Sequence, residues 1–209
     1  MRFSGIISHL KEKRGILFCE SGVAMVEFCI IVPILLVLAT GIIETTRYML
    51  TIQKLEKTII LRNNIVTQHS SLLDSSNGHI PISNAEMAAL MLKVPSMLSP
   101  YSFGSKGLVI ITDIKTGANA AKPVINWQYC GGGTLSATSK LGKGATGSTP
   151  AATLPSGFSM IANEEIVIGE IFYQYTPLLH SVIPSTRIYR TAIFVPRFET
   201  LAGLSSNCP

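Results

Sequence analysis

The sequence predicts an α+β chain, in which a long N-terminal helix, apolar enough at its start to span a membrane, precedes a small antiparallel sheet. Three observations predict it. Val23 to Ile43 carries one charge, Glu27, and Phe28 to Ile43 carries none; roughly 20 such residues cross a bilayer as a helix. Residues 44–68 then lack Pro and Gly and repeat apolar residues at helical spacing. The second half holds short β-branched and aromatic runs separated by Pro- and Gly-rich connections, which is strand punctuation. Composition narrows the class further. The 209 residues are 47% hydrophobic and only 14% charged, against about 25% charged in a typical soluble domain. Long disorder is excluded, because it needs low hydrophobicity and high charge. With a single spanning stretch, a multispan transporter is excluded too. The net charge of +5 comes without a basic run interleaved with aromatics, so nucleic acid is not an expected partner.

Residues 1–22 form a basic leader in which Arg2, Lys11, Lys13 and Arg14 outnumber Glu12 and Glu20. The cations precede the apolar stretch and Glu44 follows it. The positive-inside rule then places the leader in the cytoplasm and residues 44–209 outside. A cleaved secretory signal fits poorly, because the apolar run exceeds the usual core of about 7–15 residues and Thr40-Gly41-Ile42-Ile43-Glu44 offers no small-x-small site. Lipidation at Cys19 lacks small residues before it, since Leu17-Phe18 precede. Pro33 and Gly41 inside the span are tolerated in membrane helices.

Glu27 is the odd residue. A carboxylate at the start of an apolar span is expensive and is by default a functional candidate. It sits five residues after Gly22 in Gly22-Val23-Ala24-Met25-Val26-Glu27-Phe28, which resembles the class III signal peptide of type IV pilins and pseudopilins. That resemblance implies cleavage between Gly22 and Val23 by a membrane prepilin peptidase, leaving Glu27 as the fifth mature residue. Cutting on the cytoplasmic side keeps the apolar helix as an assembly stem. A buried Glu27 can then pair with the freed amino terminus of a neighbouring subunit, which offsets the cost of burying both charges. The other reading is an uncleaved anchor whose Glu27 snorkels to the interface.

Beyond the membrane, Tyr48, Ile52, Leu55, Ile59 and Val66 form a stripe at helical spacing. At about 1.5 Å per residue, a helix over 23–68 is roughly 70 Å long. The stripe can pack on the chain's own exported domain or on another subunit. Residues 69–82 are polar, with an Asn77-Gly78 turn. A short helix over 84–93 starts at a Ser83 or Asn84 cap with Glu86 in its first turn, and Pro95 and Pro100 follow it. Strands are expected at Gly107–Ile114, Val124–Tyr129 (Trp127 and Tyr129 sharing a face), Glu165–Tyr175 and Arg187–Val195. The last two form an antiparallel pair joined by Thr176–Ser185. Residues 131–158 read as a flexible insert. Seven of these 28 residues are Gly, and Lys140 and Lys143 are the only charges. Such composition is not expected to bury a core. Gly142-Lys143 fails as a phosphate loop, lacking a Gly five residues earlier.

The N-terminal string, followed by an Ile/Val/Leu run with Pro33 and by Gly41-Ile42-Ile43-Glu44, resembles the TadE-like family: the TadE, TadF and TadG proteins of tight-adherence (Flp) pilus systems. Glu170-Ile171-Phe172-Tyr173-Gln174-Tyr175-Thr176-Pro177-Leu178-Leu179 and Ala192-Ile193-Phe194-Val195-Pro196-Arg197 resemble its closing strands. Cys29 stands where the family often has Ala. The chain is too short for a TadG-type von Willebrand A domain, so the resemblance is to the short TadE/TadF type. It covers roughly 20–60 and 123–209.

Trp127 with Cys130, and Cys208 near the end, are similar to the family's late cysteine pair. A pair of cysteines in an exported domain points to a disulfide between Cys130 and Cys208; a zinc site is the alternative, short of nearby ligands. The resemblance implies a pilin-like α+β plan without enzymatic activity or cofactor. It implies a bacterial inner-membrane, single-pass protein with a cytoplasmic N-terminus and a periplasmic C-terminal domain. Other pilins, pseudopilins and pilus assembly proteins, and the prepilin peptidase, are its implied partners. Its implied role is that of a minor pilin or pseudopilin in pilus biogenesis. Two other functions fit the residues: an uncleaved accessory protein of the secretion apparatus, and an anchored periplasmic binding module using the 131–158 loop. Catalysis finds no motif. His69, His79 and His180 lack metal-ligand spacing, and Glu164, Glu165 and Glu170 read as strand-face or loop charges. The domain plan is leader 1–22, transmembrane helix 23–43, helical extension 44–68 and exported domain 69–209.

Overall fold

Good helix formers and an absence of breakers apart from Pro33 and Gly41 carry one uninterrupted helix, α1 (Glu20–His69), through the apolar stretch and on through the amphipathic one. The structure, a computed structural model, describes residues 20–69, 73–74, 78–79, 82–118, 122–144, 149–178, 184–196, 204 and 207–208. The cationic leader up to residue 19 and most of the expected 69–82 turn lie outside them. The chain divides into two units, Met1–Thr46 and Arg47–Pro209.

In the second unit α1 is followed by a two-residue antiparallel pair, β1 (Leu73–Asp74) and β2 (Gly78–His79). Three short helices come next: α2 (Asn84–Leu92), α3 (Val94–Met97) and α4 (Phe103–Lys106). The Ser83 hydroxyl accepts from the Glu86 N–H while the Glu86 carboxylate accepts from the Ser83 N–H, a reciprocal cap that fixes where α2 begins. Pro95 does not merely end that helix; it opens α3, where a missing N–H costs nothing.

The sheet contains β3 (Gly107–Lys115), β4 (Val124–Gly131), β5 (Glu165–Tyr175) and β6 (Thr186–Phe194). Their order across the sheet is β4-β3-β5-β6, with every neighbour antiparallel. The fold is thus a long N-terminal apolar helix followed by a four-stranded antiparallel sheet, a mixed α+β arrangement. A register shift at Asp113/Ile114 marks a bulge between β3 and β4.

The stripe packs on the chain's own sheet. Leu55, Ile59 and Val66 of α1 join Val109, Ile111, Trp127, Tyr129, Val167, Ile171 and Tyr173 in one core, closed at the side by Met87, Met91, Val94 and Phe103. Each large apolar side chain buried there contributes about 1.5–3 kcal/mol.

The opposite face of the sheet is buried as well, and the composition of residues 131–158 does not foretell how. Leu141, with Ala152, Leu154 and Phe158, packs on Ile114, Ile166 and Ile168. Leu135 and Ala137 pack on Leu108, Ile110 and Phe172. The expectation that this segment buries no core is therefore corrected. Isolated apolar side chains among small residues are enough to cover a face rich in Ile, Leu and Phe. Backbone bonds hold the cover: Leu135 N–H donates to the Gly107 carbonyl at 3.1 Å, Thr153 N–H to Leu141 at 2.7 Å, and Ala152 N–H to Pro123 at 2.9 Å.

Candidate functional site

Gly22, Val23 and Glu27 lie in the first turns of α1. Val23 and Glu27 are four residues apart and so share a helix face. A side chain at Gly22 would meet nothing within 4 Å. Val23 is 59% exposed, Met25 70% and Phe28 67%, and the most apolar window of the helix is wholly unburied. An apolar surface this continuous needs a lipid or protein cover, and by length and composition the helix fits a single-pass membrane anchor. Glu27 is the one described carboxylate between Gly22 and Ile43. Thr40 returns its hydroxyl to the Leu36 and Val37 carbonyls, Thr45 to Gly41 and Thr46 to Ile42; this is how a helix in an apolar medium disposes of hydroxyl donors.

The structure brings the second predicted pair together. Cys130, near the end of β4, is disulfide-bonded to Cys208. Asn207 clamps the same strand: its side chain accepts from the Cys130 N–H at 2.7 Å and donates to the Cys130 carbonyl at 3.1 Å. Its backbone N–H also donates to the Gln128 carbonyl at 3.3 Å. Asn207 thereby covers part of the outer edge of β4.

The three carboxylates read together in the sequence go to three different places. Glu164 accepts from the Ile161 N–H at 2.8 Å. Glu165 sits 3.5 Å from the Lys115 ammonium. Glu170 lies on a face of β5, as expected of a strand-face charge, but that face is covered and the carboxylate is fully buried beneath residues 139–141. There it accepts from the Ser139 hydroxyl, from the Lys140 N–H at 3.0 Å and from the Tyr189 hydroxyl at 2.9 Å. Burial, followed by the nearby Glu170 charge and its hydrogen bond, pushes the Tyr189 phenol well above its ordinary value. The Lys140 ammonium lies 3.8 Å from the centre of the same ring.

Sequence reasoning also passed over Asp113. It lies in β3, fully buried, and accepts from Asn126 at 2.7 Å. Burial, then the Glu165 carboxylate, raises its pKa well above the ordinary carboxylate range, against the opposing effects of Asn126 and Lys115. The signal was present, because an acid in the middle of a β-branched run must be buried or at a bulge.

Residues 22–58 match the family described as TadE-like protein, so the match begins at Gly22 and spans the apolar helix and the first part of its amphipathic continuation. No curated protein matches the chain, and no solved structure does.

Proposed function

We propose that this chain is a minor pilin or pseudopilin that supports assembly of a tight-adherence (Flp) pilus. The observation that carries the reading is the TadE-like match over 22–58, which opens on Gly22-Val23-Ala24-Met25-Val26-Glu27 with an exposed apolar helix behind it. In this reading a prepilin peptidase at the inner membrane cuts between Gly22 and Val23, with the leader in the cytoplasm and the 69–209 domain in the periplasm. The stem remains in the bilayer after the cut. Glu27 then serves in recognition by the peptidase or pairs with the new amino terminus of an adjacent subunit, where the two charges offset each other's desolvation. The partners are other pilins and pseudopilins and the pilus assembly machinery. The work is helix–helix packing and involves no chemistry by this chain.

The test is a Gly22 substitution in the native host. Replacing Gly22 with a bulky charged residue leaves the fold unstrained, since Gly22 has open space around it. Loss of both maturation and piliation in Gly22→Asp supports the reading. Normal piliation by a Gly22→Asp protein that keeps its leader contradicts it and favours an uncleaved accessory protein.

A further inference from the structure

We infer that Met97 is an oxidation site, at which an oxygen atom from hydrogen peroxide converts the thioether to a sulfoxide whose oxygen accepts from the Arg62 guanidinium. The inference is independent of the pilin reading and rests on two side chains of the second unit.

Arg62 is a cation without an anion. It lies on the buried side of α1 and is 4% exposed. Its Nε is buried with no hydrogen-bond partner. No ion pair joins it to a described carboxylate. Among the described residues its hydrogen bond runs from Nη2 to the Met97 Sδ, at 2.9 Å. Burial lowers the pKa of the guanidinium, as it does for any cation taken out of water without compensation. A thioether is a weak acceptor, and a buried charge with so little to hold it is costly.

The surrounding backbone keeps the two side chains together. Lys54, earlier on α1, donates to the Ser99 carbonyl at 3.0 Å and stands over the Tyr101 ring. Lys54 and Arg62, about 12 Å apart along the helix, thus hold the end of α3 and the residues after it against α1. Val94 and Leu98 are buried in the core, while Met97 is 39% exposed. Met87, Met91 and Met160 are buried. Met97 therefore combines two properties: solvent reaches it, and a buried donor faces its sulfur.

The step is an oxygen transfer. The sulfur lone pair attacks one oxygen of hydrogen peroxide and the O–O bond breaks. The departing oxygen takes the proton of the transferred one and leaves as water. Sulfur gives up two electrons, and peroxide gains them. Met97 thereby exchanges a weak acceptor for the dipolar oxygen of a sulfoxide. Methionine oxidation ordinarily disrupts its surroundings by making an apolar side chain polar. Here the added oxygen meets a buried donor that lacks a good acceptor, so the fold stabilises the product. The Cys130–Cys208 disulfide of the same unit fits an oxidising compartment, where such oxidants occur.

The test treats the full chain in detergent with hydrogen peroxide and locates sulfoxide by peptide mass spectrometry, at an exposure that leaves Met87, Met91 and Met160 unmodified. Met97 is expected to be oxidised at that exposure. Thermal melts then compare the wild type with Arg62→Leu before and after treatment. Treated Met97→Leu sets the baseline for oxidation of the exposed Met25 and Met49. The wild type is expected to lose less on treatment than Arg62→Leu, whose sulfoxide has no donor to meet. Met97→Gln offers an amide oxygen in place of the sulfoxide and, untreated, is expected to melt about 3–10 °C above Met97→Leu. This pair decides the matter if Arg62→Leu does not fold. Three results overturn the inference: Met97 unmodified at that exposure, a wild type that loses as much as Arg62→Leu, or Met97→Gln melting at or below Met97→Leu.

Discussion

Asn63 of α1 stands over Gly169 of β5, in the space that a side chain at position 169 would fill. Its amide donates to the Ala192 carbonyl of β6 at 2.7 Å, and Ala192 is the cross-strand partner of Gly169. One glycine thus lets a helix polar group reach the sheet backbone in the midst of an apolar interface.

Gly169→Ala is expected to lower stability by about 1–3 kcal/mol, because the added methyl displaces Asn63 and Ile59 from a close-packed site. Asn63→Ala is expected to lower it by about 1 kcal/mol through loss of the bond to Ala192. The double variant is expected to cost less than the sum, since removing Asn63 vacates the space the methyl needs. Thermal melts of the full chain in detergent check the cycle; strict additivity would contradict the contact.

Glu170→Gln is expected to cost about 2 kcal/mol. The amide presents donors where Ser139, Lys140 and Tyr189 already donate, and a buried donor without an acceptor is costly. Limited proteolysis within 133–144 is expected to speed up in this variant. Unchanged proteolysis and melting would show that the carboxylate does not hold residues 139–141 on the sheet.

Asp113→Asn is expected to stabilise the protein at neutral pH. The folded-state pKa of Asp113 is raised, so its stabilising contribution is present in full below the unfolded value of about 3.9. That contribution is lost as pH rises through the folded value. The amide mimics the protonated acid and removes this loss. Melts compared at pH 7 and pH 4 should show the variant's advantage at the higher pH and its disappearance at the lower. A variant less stable at pH 7 would mean that the carboxylate is the required form.

Cys208→Ser is expected to cost up to about 4 kcal/mol by the chain-entropy estimate for a long loop, the bonded cysteines being 78 apart in sequence. Denaturant unfolding with and without reductant measures it. A reductant effect on the variant as large as on the wild type would contradict the assignment.

The strands were legible because β-branched runs such as Gly107–Ile114 and Glu165–Tyr175 tolerate no other periodicity, and the helix because its stripe reaches unbroken from Tyr48 to Val66. The cover that residues 135–158 lay on the sheet was not legible from their own composition. The clue lay in its partners: β3 and β5 carry large apolar side chains on both faces and are buried on both, so each face needs a cover, and α1 supplies one. The Gly22, Val23 and Glu27 pattern is local and can be read in the sequence, and its role in processing is the proposal made above. The Asn63–Gly169 contact and the triple engagement of Glu170 were not legible, because each joins positions thirty or more residues apart in sequence or in separate strands.

The central claim is that the chain matures by losing its leader at Gly22. Intact-mass measurement of the protein purified from membranes, in hosts with and without the prepilin peptidase, tests it most directly. The account predicts a chain beginning at Val23 in the first host and at Met1 in the second. An unprocessed Met1 chain in both hosts would contradict it.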